Sequence, residues 1–205
     1  MLELSELNAM LNVNSIIPNE NLKIAICHKN DVRRLFFRNE TDMKINSRTI
    51  EKRGVQELLK HFFISKPVKY SEVGAPFIDQ SNFHFSISHS KELIALALCN
   101  YQIGIDTEEI TKRASKIKSR FLNNYEMDVF GDTDENATLA WTIKEALYKI
   151  CGQSKVIFKE DLKIINEIEK RKSYLCEFPW KGSRTKVICK SIQLNNHILT
   201  YNEAF

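Results

Sequence analysis

Two runs in this chain are apolar almost without interruption, "LKIAICHK" (22–29) and "LIALALCN" (93–100), and each is bounded by polar or turn-forming residues. Runs of that length and boundary predict strands. Between them, "SRTIEKRGVQELLKHFF" (47–63) places Ile50, Leu58, Leu59 and Phe62 on one side of a helix. Gly54 in its middle costs about 1 kcal/mol relative to alanine. "VKYSEVGAPFI" (68–78) reads as strand, turn at Gly74–Pro76 and short strand, and "FHFSISHS" (83–90) alternates before turning polar.

Beyond Asn100 the pattern changes period. "SRFLNNYEMDVF" (119–130) is predicted helical. "ENATLAWTIKEALYKICG" (135–152) is the clearest helix, with Leu139, Ile143, Ala146, Leu147 and Ile150 as its apolar stripe, Asn136 or Asp134 as its cap and Gly152 as its end. "FKEDLKIINEI" (158–168), "KSYLCEF" (172–178), "TKVICKSIQL" (185–194) and "HILTYN" (197–202) read mostly as strands, the last three as an antiparallel meander. Helix followed by strands in each part predicts an α+β fold of two related halves, 1–99 and 100–205, packed as one unit. No internal repeat is evident.

Length and charge narrow the function classes. The 205 residues suffice for a substantial core, and the formal charge of +4 suits an anionic ligand or an acidic partner rather than nucleic acid. The five cysteines are odd in number and scattered, without CxxC spacing, which predicts reduced thiols and a cytoplasmic protein. The opening "MLELSELNAM" lacks the basic start and apolar run of a signal peptide, and no stretch approaches the roughly 20 apolar residues of a membrane span.

The chemistry gathers in three places. In "IGIDTEE" (103–109), Asp106 and Glu108 alternate, so a strand projects both from one face while Glu109 turns away. They are either solvated acids at a strand end or half of a divalent-metal site, since Mg²⁺ takes one or two carboxylates plus phosphates and water. In "WTIKEALYK" (141–149), Glu145 and Lys149 stand four apart on one helix face. That is an ordinary exposed ion pair, or a carboxylate for metal beside a lysine for phosphate; Trp141 on the same side is unexpected for an exposed face. In "SISHS" (86–90), Ser88, His89 and Ser90 form either a plain polar turn or a phosphate-holding group. Arg48, Lys52 and Arg53, with Arg33, Arg34 and Arg38 before them, are a solvated basic face from which one or two could grip a phosphate. No GxSxG elbow, Walker loop or zinc-ligand spacing occurs.

In this order and spacing, "FHFSISHS", "IGIDTEE" and "WTIKEALYK" resemble the three signatures of 4′-phosphopantetheinyl transferases, of the longer, two-half, surfactin-synthetase-activating type. The resemblance is good over residues 45 to 160 and weak outside. It implies a pseudo-twofold fold with coenzyme A in the cleft between the halves. It further implies Mg²⁺ on Asp106, Glu108 and Glu145, Lys149 on the coenzyme's diphosphate, and His89, flanked by Ser88 and Ser90, at or near the 3′-phosphate. Arg53 and Arg48 would fall where the family uses basic residues of the first half's helix, and Lys144 would position an acid or touch phosphate. Two departures stand out: Ala75 replaces the lysine usual between the glycine and the proline, and Thr107 replaces an aliphatic residue between the acids.

The implied activity moves the pantetheine arm from coenzyme A to a serine of an apo acyl or peptidyl carrier protein, as in fatty-acid, polyketide and nonribosomal-peptide synthesis. The products would be holo-carrier and 3′,5′-ADP, with Glu145 as candidate base. The basic stretch with Lys112, Arg113, Lys116, Lys118 and Arg120 would meet the acidic helix of the carrier, and the family's two-half type acts as a monomer. The alternatives are a non-catalytic protein that binds coenzyme A or an acyl carrier on the same fold, and an unrelated Mg²⁺-dependent phosphoryl transferase.

Overall fold

The computed structural model describes residues 10–37, 45–72, 74–152 and 155–205; most of the acidic opening segment, together with Arg38 and Val73, lies outside the described residues. A four-stranded antiparallel sheet in the order β1-β2-β6-β5 is built from β1 (Asn14–Asn19), β2 (Leu22–His28), β5 (His84–His89) and β6 (Leu93–Cys99). A five-stranded antiparallel sheet in the order β7-β11-β10-β9-β8 is built from β7 (Ile105–Glu109), β8 (Lys163–Glu169), β9 (Ser173–Trp180), β10 (Ser183–Leu194) and β11 (His197–Asn202). A two-stranded ribbon, β3 (Lys69–Tyr70) with β4 (Pro76–Phe77), surrounds the turn at Gly74. The fold is α+β.

The near-absence of alternation in β2 and β6 has a direct cause: both faces of the first sheet are covered. On one face Ala25, Cys27, Ile94 and Leu96 pack against helices α1 (Lys29–Phe36) and α2 (Ser47–His61), through Val32, Ile50, Val55, Leu58 and Leu59. On the other, Ile24, Ile26, Ala95 and Ala97 meet Ile103, just before β7, and Ile105, Leu199 and Tyr201 of the second sheet. The far face of that second sheet is covered by helix α5 (Asp134–Cys151), whose Leu139, Ile143, Leu147 and Ile150 sit on Tyr174, Cys176, Val187 and Ile198. Helix, sheet, sheet and helix are therefore stacked in series. Gly54 lets α2 lie close on β6: a Cβ there would fall 2.3 Å from Ile94 Cδ1.

Several sequence expectations need adjustment. The segment 119–130 is not one helix. After α3 (Lys112–Ile117), a 3₁₀ turn covers Lys118–Arg120, and the chain restarts as α4 (Asn124–Phe130) because Asn123 and Glu126 form a capping box. Helix α5 is capped by Thr133, whose side chain accepts the Asn136 N–H, rather than by Asp134 or Asn136. Residues 158–161 form a short helix, α6 (Phe158–Asp161), before β8 begins. All five cysteines are free and buried. Among the described residues no helix is long and apolar enough to cross a membrane.

Candidate active site

β7 leaves the core at its acidic end, and α5 crosses it. Asp106, 5 % exposed, is fixed there from two sides: Ser88 Oγ donates to its Oδ1 at 2.8 Å and Lys149 Nζ donates to the same oxygen at 2.9 Å. Lys149 also donates to the Ile105 carbonyl at 2.7 Å, so its ammonium is clamped to β7. The other oxygen of Asp106, Oδ2, is buried without a partner. Glu108 accepts a bond from Trp141 Nε1 at 3.3 Å. That bond accounts for the tryptophan on a polar helix face, where it also stacks on Phe158 and meets Phe121 edge-on.

The acids feel one another. Burial, then the charge of Asp106, raises the Glu108 carboxyl above its ordinary range. Burial, then Asp106 and, against the pull of Lys149, Glu108 push the Glu145 carboxyl up to about 7. Like charges held this close raise one another's pKa. Among the described residues no three acid, histidine or cysteine side chains form a ready-made metal cage. The donor set nevertheless fits a hard divalent cation: three carboxylates in electrostatic contact, one of them with an unpartnered buried oxygen.

Asp106 and Lys149 open onto a cavity of about 970 Å³, at the upper end of the roughly 300–1,000 Å³ typical of small-molecule sites. Its opposite wall is one face of α2, with Arg48, Glu51, Lys52 and Val55 at i, i+3, i+4 and i+7. Phe77, from the ribbon, and Tyr148, from α5, add aromatic surface. His89, its side chain half exposed, lines the same cavity; its Nε2 lies 3.4 Å from Glu51 Oε2. Burial lowers the His89 pKa, with Glu51 partly opposing. Glu51 in turn accepts from Lys29 Nζ at 2.5 Å and from Ser47 Oγ at 2.7 Å.

Asp106, Lys149, His89, Ser88 and Arg48 thus reach one cavity, with Glu108 and Glu145 electrostatically coupled to Asp106 beside it. Three expected ligands are committed elsewhere. Arg53, five residues beyond Arg48 and so about 140° round the helix, pairs with Glu57 at 3.0 Å and covers the Phe36 ring at 3.9 Å. Lys144 is fully buried: it pairs with Glu126 at 2.6 Å, donates to the Phe158 carbonyl at 3.0 Å and does not line the cavity. Ser90 Oγ accepts the Leu93 N–H at 3.1 Å, closing the turn between β5 and β6. Ser88 binds Asp106 directly rather than standing open to a ligand. Sequence reasoning missed Ser86, Lys29 and Glu51; only Glu51, in register with Arg48 and Lys52, left a readable signal.

Residues 102–201, which run from just before β7 to the last strand and carry all three acids and Lys149, match the family model described as the 4′-phosphopantetheinyl transferase superfamily. This segment, just under half of the chain, is similar to that superfamily. The chain is also similar to the 4′-phosphopantetheinyl transferase gsp of Aneurinibacillus migulanus, at 35 % identity over 92 residues. That match spans 42 % of this chain and 38 % of the relative, so the chain covers about two fifths of the relative's length. The matched segment supplies Asp106, Tyr148 and Lys149 to the cavity, while Arg48, Glu51 and Lys52 of α2 lie outside it.

Proposed function

We propose that the protein is a 4′-phosphopantetheinyl transferase that moves the pantetheine arm of coenzyme A onto a serine of an apo carrier protein. The observation that carries this reading is Asp106: held through one oxygen, buried and unpartnered at the other, beside a cavity of ligand size, on the segment that matches the superfamily. The two sheet-and-helix halves, 1–99 and 100–205, would be related by a pseudo-twofold axis, and the protein would act as a cytoplasmic monomer.

In this reading Asp106, Glu108 and Glu145 hold Mg²⁺. When bound, the ion neutralises charge on the pyrophosphate oxygens and on the leaving phosphate. The chain's own part is placement. Lys149, fixed to Ile105 and Asp106, presents its ammonium at the cavity wall, where it can meet the coenzyme's diphosphate. Arg48, Lys52 and His89 stand on the opposite side for the 3′-phosphate end; Ala75 removes one contact usual in the family, and Lys52 lies on the cavity-facing side of α2.

The carrier serine oxygen attacks the β-phosphorus. The new P–O bond forms as the bond from that phosphorus to the bridging oxygen breaks, and 3′,5′-ADP leaves with the bridging oxygen. Glu145, beside the two acids of β7, would accept the serine proton. No covalent enzyme intermediate is required, so orientation and electrostatics supply the rate. The carrier docks on exposed Lys112, Arg113, Lys116 and Arg120 through charge complementarity. Lys118 is excluded, because its ammonium is bonded to the Gly131 carbonyl.

Calorimetry with coenzyme A in Mg²⁺, followed by transfer assays on an apo carrier, tests this. Binding and transfer are expected for the wild type, with transfer abolished in Asp106→Ala while the fold is retained. Binding without transfer in the wild type would favour a non-catalytic coenzyme A-binding protein. Near-normal turnover in Asp106→Ala would remove the cation assignment.

A further inference from the structure

Two edge strands meet where the sheets join. β5 ends the first sheet and β7 ends the second, and no backbone ladder joins them. Serine hydroxyls take the place of that ladder. Ser86 Oγ accepts the Ile105 N–H at 3.1 Å, and Ser88 Oγ accepts the Thr107 N–H at 3.1 Å. The strand period of two on each side makes the match: alternate side chains of β5 meet alternate amides of β7. The device satisfies amides that an open sheet edge would leave bare.

Ser88 also does what Ser86 does not. Its hydroxyl proton goes to Asp106 Oδ1 at 2.8 Å. A hydroxyl has one proton to give and lone pairs to receive with. Accepting the Thr107 amide therefore sets its orientation and leaves the proton for the carboxylate. Lys149 Nζ donates to the same Oδ1 at 2.9 Å. Both donors sit on one oxygen, and the carboxylate plane is held from a strand on one side and a helix on the other. Oδ2 remains buried and unpartnered, on a residue that lines the cavity.

We propose that Ser88 is a positioning residue: it fixes the Asp106 carboxylate so that Oδ2 is the oxygen offered to the divalent cation. This rests on Asp106 being a cation ligand, and the test separates the two claims. It also gives Ser88 a role distinct from phosphate binding. Hydrogen-bond partners of ligating carboxylates commonly contribute roughly 10- to 100-fold to metal affinity, and a similar contribution is expected here.

The test measures Mn²⁺ affinity directly, by the electron paramagnetic resonance signal of free Mn²⁺, with coenzyme A present. Ser88→Ala is expected to weaken Mn²⁺ binding by roughly 10- to 100-fold, while the KM for coenzyme A at saturating cation stays at the wild-type value. Ser88→Thr, which keeps the hydroxyl, is expected to restore affinity to within a few-fold. Ser86→Ala loses an amide bond but no carboxylate bond and is expected to bind Mn²⁺ like the wild type. Wild-type affinity in Ser88→Ala, or an equal loss in Ser86→Ala, overturns the proposal. Should Ser88→Ala fail to fold, Ser88→Cys replaces it: intermediate loss supports the role and wild-type affinity overturns it. Asp106→Ala is the control on the underlying reading. If Asp106→Ala binds Mn²⁺ normally, the cation assignment itself fails. If it loses binding while Ser88→Ala does not, only the positioning role fails.

Discussion

Replacing Gly104 by alanine should damage the site without touching any of its functional groups. Gly104 lies just before β7, against the backbone of α5. A Cβ there would stand 2.0 Å from the Ala146 carbonyl oxygen, 2.9 Å from the Ala146 carbonyl carbon and 3.0 Å from Ile150 Cγ1. Backbone atoms inside a helix cannot swing aside as a side-chain tip can. Since non-bonded atoms of this kind rest at about 3.5–4.0 Å, β7 and α5 must part by roughly 1 Å or more. Overpacking of this type costs roughly 1–3 kcal/mol, or about 2–4 °C in Tm per kcal/mol for a chain of this size. The same displacement opens the bonds from Lys149 to Ile105 and Asp106, now 2.7 and 2.9 Å, beyond good hydrogen-bond geometry. Misplacing reacting groups by about 1 Å costs on the order of 100-fold in rate. Urea denaturation should show a lower midpoint with an unchanged slope, and a carrier-modification assay should show turnover falling about 100-fold. A Gly104→Ala protein with the wild-type midpoint and wild-type turnover would refute the close-approach argument. A loss of turnover with no loss of stability would refute its steric basis.

Other perturbations separate structure from chemistry. Lys144→Met strands Glu126, which also accepts the Asn123 and Ile164 amides, and should destabilise the fold by roughly 3–5 kcal/mol; coenzyme A affinity of the folded protein should not change, and a selective loss of that affinity would restore Lys144 to the ligand. In cation-free protein the folded state holds a proton on Glu145 that the unfolded chain has released, so stability should fall as pH rises from about 4.5 to about 7. Melting curves in chelator across that window check this, Mg²⁺ should reverse the loss, and a flat profile would contradict it. Charge reversal at Arg113 and Lys116 should raise the KM for carrier protein and leave that for coenzyme A alone; an unchanged carrier KM would move the docking surface elsewhere.

How much of this was legible beforehand depends on the range of the interaction. Apolar runs and helix stripes are local, so β2, β6, α2 and α5 were all anticipated close to their observed limits. The breaks were set by capping, where small differences decide: Thr133 over Asp134, and Asn123 splitting the segment 119–130. The acids of "IGIDTEE" were readable because strand alternation fixes their face. The helix face of α2 is readable too: Arg53 lies well round the helix from the side that Arg48 and Lys52 share. Ser88 is readable as a candidate but its bonds, like those of Ser86, are not, because their partners, Ile105, Thr107 and Asp106, come from a different sheet. The Lys144 ammonium looked available only because its partner Glu126 is 18 residues away on another helix.

The most direct measurement of the central claim is the intact mass of apo carrier domains from fatty-acid, polyketide and peptide synthetases after incubation with this protein, coenzyme A and Mg²⁺. At least one is expected to gain a single phosphopantetheine arm on its serine, and chelator or Asp106→Ala is expected to abolish the gain. Unmodified carriers throughout, from a folded protein that binds coenzyme A, would contradict that claim.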